Sequence, residues 1–212
     1  MKIGRFITLE GIEGAGKSTA LHIIQTYLAQ EHIESMLTRE PGGTPLAEAI
    51  RKLMLHSDNN EPIAAETELL MMFAGRKQHL QNHVLPALRS GKWVVSDRYI
   101  DASYAYQGGG RDIDYQYIRL LDKWIVGTYY PDLTILLNVE PSQGLKRIGI
   151  RKTQKDRIEQ EQIAFFDRVQ AAYLERAKLE PKRIKIVDAN KSLLEVEEQI
   201  RAIVRHFITS NL

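Results

Sequence analysis

Five short apolar runs recur along the chain, at residues 5–10, 34–38, 93–96, 133–139 and 183–187, with longer segments between them. Each run is close to continuously apolar rather than alternating, the pattern of a strand covered on both faces. The intervening segments carry the apolar spacing of helices over residues 20–28, 46–55, 66–88, 115–126 and 160–179. Strands alternating with helices predict an α/β fold, a parallel sheet flanked by helices on both faces. On such a sheet, ligands gather beyond the carboxyl ends of the strands. No repeat, low-complexity tract or Pro/Gly/Ser linker divides the 212 residues, so the chain is read as a single domain.

The first strand runs into Gly11-Ile12-Glu13-Gly14-Ala15-Gly16-Lys17-Ser18-Thr19, which fits the P-loop pattern of Gly, four residues, Gly-Lys and Ser or Thr. A strand before and a helix after give the motif the context it needs. Glycines let the backbone wrap a phosphate, and successive N–H groups point at it from a helix N-terminus. Lys17 is placed to reach the β- and γ-phosphates, and the Ser18 hydroxyl to take a position on Mg²⁺. Other strand ends carry polar or glycine-rich residues too: residues 38–44, 96–99, 105–111 and 188–190. Asp97, after Trp93-Val94-Val95-Ser96, stands where a carboxylate could hold the same ion directly or through water.

Composition narrows the class. Charged residues make up 26% and hydrophobic residues 43%, an ordinary globular balance, and the net charge of +2 calls for neither a nucleic-acid nor a membrane partner. The absence of cysteine excludes disulfides, thiolate catalysis and Cys-based zinc sites. No apolar run approaches the ~18 residues of a spanning helix, and Met1-Lys2-Ile3-Gly4-Arg5 lacks a signal-peptide pattern. A cytoplasmic, soluble protein is the expectation. His79 and His83 sit four apart on a predicted helix, but no carboxylate completes a zinc pattern, which leaves surface or interface packing as their expected role.

Taken together, Glu10–Ser18, Arg39-Glu40-Pro41-Gly42-Gly43-Thr44, Asp97-Arg98-Tyr99, Ala105-Tyr106-Gln107-Gly108 and Asp156-Arg157-Ile158-Glu159 resemble the bacterial thymidylate kinases, a P-loop nucleoside-monophosphate kinase family, in order and spacing. The resemblance implies a five-stranded parallel sheet of P-loop NTPase architecture, a short lid at about 147–160, a homodimer, and transfer of the ATP γ-phosphoryl group to dTMP. It implies that Arg98 grips the acceptor phosphate and Glu13 the 3′-hydroxyl of its sugar. Arg76 is implied to bond the base, with Ser103, Tyr106 and Gln107 lining the base and deoxyribose and Arg39 and Pro41 completing the acceptor site. Where the family usually has a stacked Phe, this chain has Met72, adaptable and polarisable enough to carry a base. Where it commonly has Ser, this chain has Ala102.

A phosphate acceptor is already largely anionic near neutral pH, so no strong general base is required. The task is to bring two anions together and stabilise the transferring group, which calls for positioned cations. The variable P-loop positions Ile12, Glu13, Gly14 and Ala15 hold no cation, and family members place a catalytic arginine in either the P-loop or the lid. Arg151 in the lid is therefore the first candidate for that role, Arg157 the second. Competing readings are a related kinase acting on dUMP or another small acceptor, and a nucleotide-dependent regulator or DNA-associated ATPase. The regulator would need an Asn-Lys-x-Asp motif, which the chain lacks. The DNA ATPase would need a broader basic face.

Overall fold

The computed structural model describes residues 4–55, 61–150 and 156–211. Five parallel strands, β1 (Phe6–Glu10), β2 (Ser35–Arg39), β3 (Trp93–Asp97), β4 (Leu133–Asn138) and β5 (Ile184–Asp188), form one sheet in the order β2-β3-β1-β4-β5. The sheet is the one the alternation predicts, with strand ends moved by a residue or so. The helices are α1 (Lys17–Gln30), α2 (Pro45–Leu55), α3 (Ala65–His79), α4 (Leu85–Arg89), α5 (Ile100–Ser103), α6 (Tyr115–Ile125), α7 (Pro141–Ile150), α8 (Ile163–Leu179) and α9 (Leu193–Asn211). Neither α7 nor α9 was among the predicted helices, and residues 147–150 of the expected lid belong to α7. No described helix is long and apolar enough to cross a membrane.

Covering on both faces holds for the three central strands only. Every residue of β1 is buried, and alternate side chains feed two separate cores. Ile7, Leu9 and Val95 join α1, α8 and α9 on one face. Phe6 and Val94 join α3, α4 and α6 on the other. The edge strands β2 and β5 keep partly exposed residues, because one side of an edge strand has no neighbour to complete its cover.

The predicted helix over residues 66–88 is helical throughout but changes its winding. Residues Leu80–Val84 are wound more widely, as a π-helix, between α3 and α4. Pro86 follows two residues after Val84, and its ring offers no N–H to the preceding turn. A second wide stretch, Tyr104–Gly110, continues α5 and packs along α8, where Arg168 donates to the carbonyls of Gly109 and Gly110. Wide turns of this kind concentrate at functional sites, and here one carries Tyr106 and Gln107.

A polar cluster ties the sheet to α5 and α8. The hydroxyls of Thr8 and Thr134 meet at 2.7 Å between β1 and β4. Arg183 donates to Thr134 Oγ1 and to both oxygens of Asp101, and Arg176 donates to Asp101 Oδ1 at 3.0 Å. Asp101 is 1% exposed, so its charge is stable there only because two guanidinium groups surround it. Asp101→Ala leaves two cations facing a shared void and is expected to cost about 3–5 kcal/mol, the usual penalty for breaking a buried ion pair. Urea unfolding at neutral pH measures this, and a loss under about 1 kcal/mol would assign the cluster's stability to Glu180 and the threonines instead.

Candidate active site

Because all strands run in parallel, their carboxyl ends open on one edge, and a cavity of about 310 Å³ lies there. One end is the loop between β1 and α1. Gly16 precedes α1 with φ +94°, a conformation in which a β-carbon is strained. A β-carbon on Gly14 would lie 2.1 Å from the carbonyl oxygen of Gly144 in α7, so α7 closes on the loop only because both positions are glycine. Arg147 of α7 braces the contact, donating to the carbonyls of Gly14 and Ala189. Gly14, Gly16, Lys17 and Ser18 line the cavity, while Gly11, Ile12, Ala15 and Thr19 shape the loop without lining it. Lys17 donates to the carbonyls of Gly11 and Ile12, both at 3.0 Å. Burial, reinforced by the nearby Arg98 charge, pushes its ammonium down to about 8.

Three guanidinium groups, Arg39, Arg51 and Arg98, line the same cavity. Arg39 and Glu48 pair at 2.9 Å, and Glu48 also accepts from the amide of Gly43, which settles the loop that presents Pro41. Arg51 donates to the carbonyl of Pro41 at 3.1 Å. Burial and the adjacent Arg39 and Arg98 charges pull it below the ordinary arginine range, the mark of a cation cluster short of anions. Arg51 was not anticipated. The signal was present: it lies four residues after Ala47 and three before Met54, both buried, so it is a cation on the stripe of α2 that should be apolar.

Arg98 is the best-anchored of the three. Its φ of 70° puts a non-glycine residue in the left-handed region, at a cost of order 1–3 kcal/mol. Its guanidinium donates to Gly11 O at 2.9 Å, the Tyr173 hydroxyl at 3.1 Å and Glu13 Oε1 at 2.6 Å, and lies 4.6 Å from the Tyr106 ring centre. Burial works against its charge, but Tyr106, Glu13, Tyr173 and Asp97 more than offset it and hold Arg98 well above its usual range. Glu13 also accepts from the Tyr106 hydroxyl. It is thus turned into the cavity, between a cation and a phenol, rather than toward solvent.

Asp97 lines the same cavity, and its buried Oδ1 has no protein partner. An orphaned carboxylate oxygen in the cavity that Ser18 also lines is what a bound cation would satisfy. Among the described residues, no group of three or more His, Cys, Asp or Glu forms a metal cluster, so such an ion would draw its remaining ligands from a bound anion and water. Glu10, at the end of β1, is fully buried; burial and the nearby Asp101 push its carboxyl up to about 7.

Met72 faces the cavity, whereas Phe73 belongs to the core and lies against Arg76. The helix is not rotated, so Phe73 does not substitute for the aromatic ring the family pattern places at position 72. Gln107 lines the wall and donates to Glu68 at 2.8 Å. Arg76 and Ser103 do not line the cavity. Arg76 is completely buried, donating to Glu40 Oε2, Ser103 Oγ and the carbonyl of Tyr99, and so forms the layer behind the wall. Glu40 carries that layer to the cavity surface and also meets His79 at 2.9 Å. His79 is buried and bonded to Thr38 as well, which replaces the expectation of surface packing.

Arg157 does not line the cavity either. Its guanidinium donates to the Met54 carbonyl and to Glu68, so it braces the later part of the lid segment against α2 and α3. Glu68, 1% exposed, was missed because a lone glutamate on a helix reads as surface; only its place four residues before Met72 and eight before Arg76 marks it as inward-facing. Arg151 lies outside the described residues.

A site that combines a phosphate-cradling loop with a second cluster of cations a few ångströms away is built for two anionic ligands at once. The family model described as Thymidylate kinase matches residues 9–200. A protein named Thymidylate kinase from Vesicomyosocius okutanii subsp. Calyptogena okutanii is 48% identical over 205 residues, covering 97% of this chain and 99% of that protein. The Thymidylate kinase of Nitrosospira multiformis is 50% identical over 197 residues (93% and 95%), and that of Neisseria gonorrhoeae 47% over 200 residues (94% and 96%). Matched by that model over residues 9–200 and about half identical to such relatives over nearly its whole length, the chain belongs to the thymidylate kinase family.

Proposed function

We propose that this chain, acting as one kinase domain in the cytoplasm, transfers the γ-phosphoryl group of ATP to the phosphate of dTMP, giving ADP and dTDP. The observation that carries the reading is a cavity lined both by Lys17 of the phosphate-cradling loop and by Arg39, Arg51 and Arg98. Lys17 and its loop suit the donor phosphates, the three arginines the acceptor phosphate. The names of the relatives support dTMP as that acceptor.

The acceptor oxygen is anionic and needs no strong base, so the residues act by placing and neutralising charge. Arg98 and Arg51 hold the acceptor phosphate, and Glu13 accepts from the sugar hydroxyl while steadying Arg98. Met72, Pro41, Tyr106 and Gln107 form the wall for the nucleoside, with Arg76 and Ser103 fixing it from behind. Lys17 and the loop amides orient the donor. Ser18 and Asp97 would hold Mg²⁺, which when bound supplies neutralisation of the charge building on the phosphate oxygens. The loop contributes no second cation, so we assign transition-state support to Arg151, with Arg157 as a brace.

The flexible thioether of Met72 selects a base less sharply than a ring would, which favours dUMP as a weaker second acceptor. Coupled measurement of ADP formation with dTMP, dUMP, dGMP, dCMP and DNA tests the assignment. Stimulation by dTMP, less by dUMP and none by the others is expected; failure of dTMP to stimulate would overturn it. In the same assay Arg151→Ala should lower turnover by about 10³-fold with a smaller change in the KM for dTMP.

Lys17 sets a pH dependence. It is cationic below about 8 and loses its charge above that value, while bound phosphates favour the charged form. Binding of ATP above pH 8 therefore takes up a proton. The KM for ATP should be flat from pH 7 to about 8 and then rise by up to ~10-fold per pH unit. A flat profile to pH 9.5 would show that Lys17 keeps its proton in the free enzyme.

We also propose a homodimer. Tyr117, Leu120 and Trp124 on successive turns of α6 are 56%, 65% and 78% exposed, apolar area that a second copy would cover. Sedimentation equilibrium is expected to give twice the chain mass, and Trp124→Glu to return it toward one; a monomer at micromolar concentration would refute the proposal.

A further inference from the structure

Arg98 makes its contacts from a strained backbone, and something must hold it there. Its amide donates to Leu9 O at 2.8 Å, and its carbonyl accepts from the Ser96 hydroxyl at 2.8 Å. The next amide, that of Tyr99, donates to Glu10 Oε1 at 2.8 Å. The second oxygen of Glu10 accepts from the Tyr173 hydroxyl at 2.7 Å, and that hydroxyl in turn accepts from Arg98 Nη1. Glu10 and Tyr173 are 0% and 2% exposed, and neither lines the cavity.

We propose that Glu10 and Tyr173 are positioning residues for acceptor binding, clamping Arg98 through its backbone and its guanidinium at once. This rests on the reading that Arg98 holds the acceptor phosphate. The direction of each hydrogen bond explains the residue types. Tyr173 has one proton; committed to Glu10, it leaves only lone pairs for Arg98. In its ionised form Glu10 accepts at both oxygens, one from the peptide after Arg98 and one from the phenol. Glutamine cannot do this, because its NH₂ would face one of the two donors. If the NH₂ faced Tyr173, the hydroxyl would turn its proton toward Arg98 and repel the group it now receives. The clamp spans β1, the end of β3 and α8, so it preorganises Arg98 before any ligand arrives and spares the acceptor that ordering cost.

Two volume-conserving variants on different elements test the clamp: Tyr173→Phe and Glu10→Gln. Calorimetric binding of dTMP, binding of ATP, and thermal midpoint are measured for each and for the double variant. Loss of a hydrogen bond to a charged group predicts dTMP affinity lowered on the order of tenfold, with ATP affinity within about twofold and a non-additive double variant. A merely structural role would lower the midpoint and weaken both ligands alike, or neither, and either result overturns the proposal. If one variant does not fold, the other decides. Wild-type protein that fails to bind dTMP would instead sink the acceptor assignment itself, a result separable from equal binding by wild type and variants.

Discussion

The parallel pairing of β1 with β3, Leu9 opposite Asp97, is the constraint on which the site depends. It brings two chain crossings to the same height on the sheet: the turn into the P-loop and the turn through Arg98. Gly11 offers its carbonyl to both Lys17 and Arg98, so donor and acceptor cations are referenced to one backbone atom. A slip of one register position would carry Arg98 away from Gly11 and Glu13 and also reverse which core each β1 side chain enters. Full burial of β1 on both faces makes that slip prohibitive.

Around this junction the protein spends charge in a consistent way. Among the described residues, two of the cavity cations hydrogen-bond to carbonyls alone, Arg51 to one and Lys17 to two. Several arginines away from the cavity are paired with carboxylates, as Arg76 is with Glu40, and Arg176 and Arg183 with Asp101 and Glu180. Arg39 and Arg98 stand between the classes, each paired with a glutamate yet lining the cavity. That intermediate condition fits a residue that must be fixed in place before a phosphate reaches it and still have charge to offer.

The fold was legible in the chain because a parallel sheet buried on both faces leaves runs of apolar residues that little else produces. The P-loop was legible because its chemistry needs glycine and lysine at fixed spacing within a few consecutive residues. Edge strands blurred the first signal, and the widened turns at Leu80–Val84 and Tyr104–Gly110 left none, since a π turn depends on what packs beside it.

Sequence alone determined the strand–loop–helix that cradles phosphate, Glu13 within it, Arg98 just beyond a later strand end, and the family to which they belong. These are local or nearly local facts, carried by neighbouring residues. Only the tertiary structure decided that Arg51 lines the cavity while Arg76, Ser103 and Arg157 stand behind or beside it, that Met72 rather than Phe73 forms the wall, and that Glu10 and Tyr173 meet Arg98. Those outcomes depend on which helix face turns inward and on contacts between residues up to 163 positions apart, such as Glu10 with Tyr173. Spacing along a chain does not encode such distances; packing around a shared strand edge does.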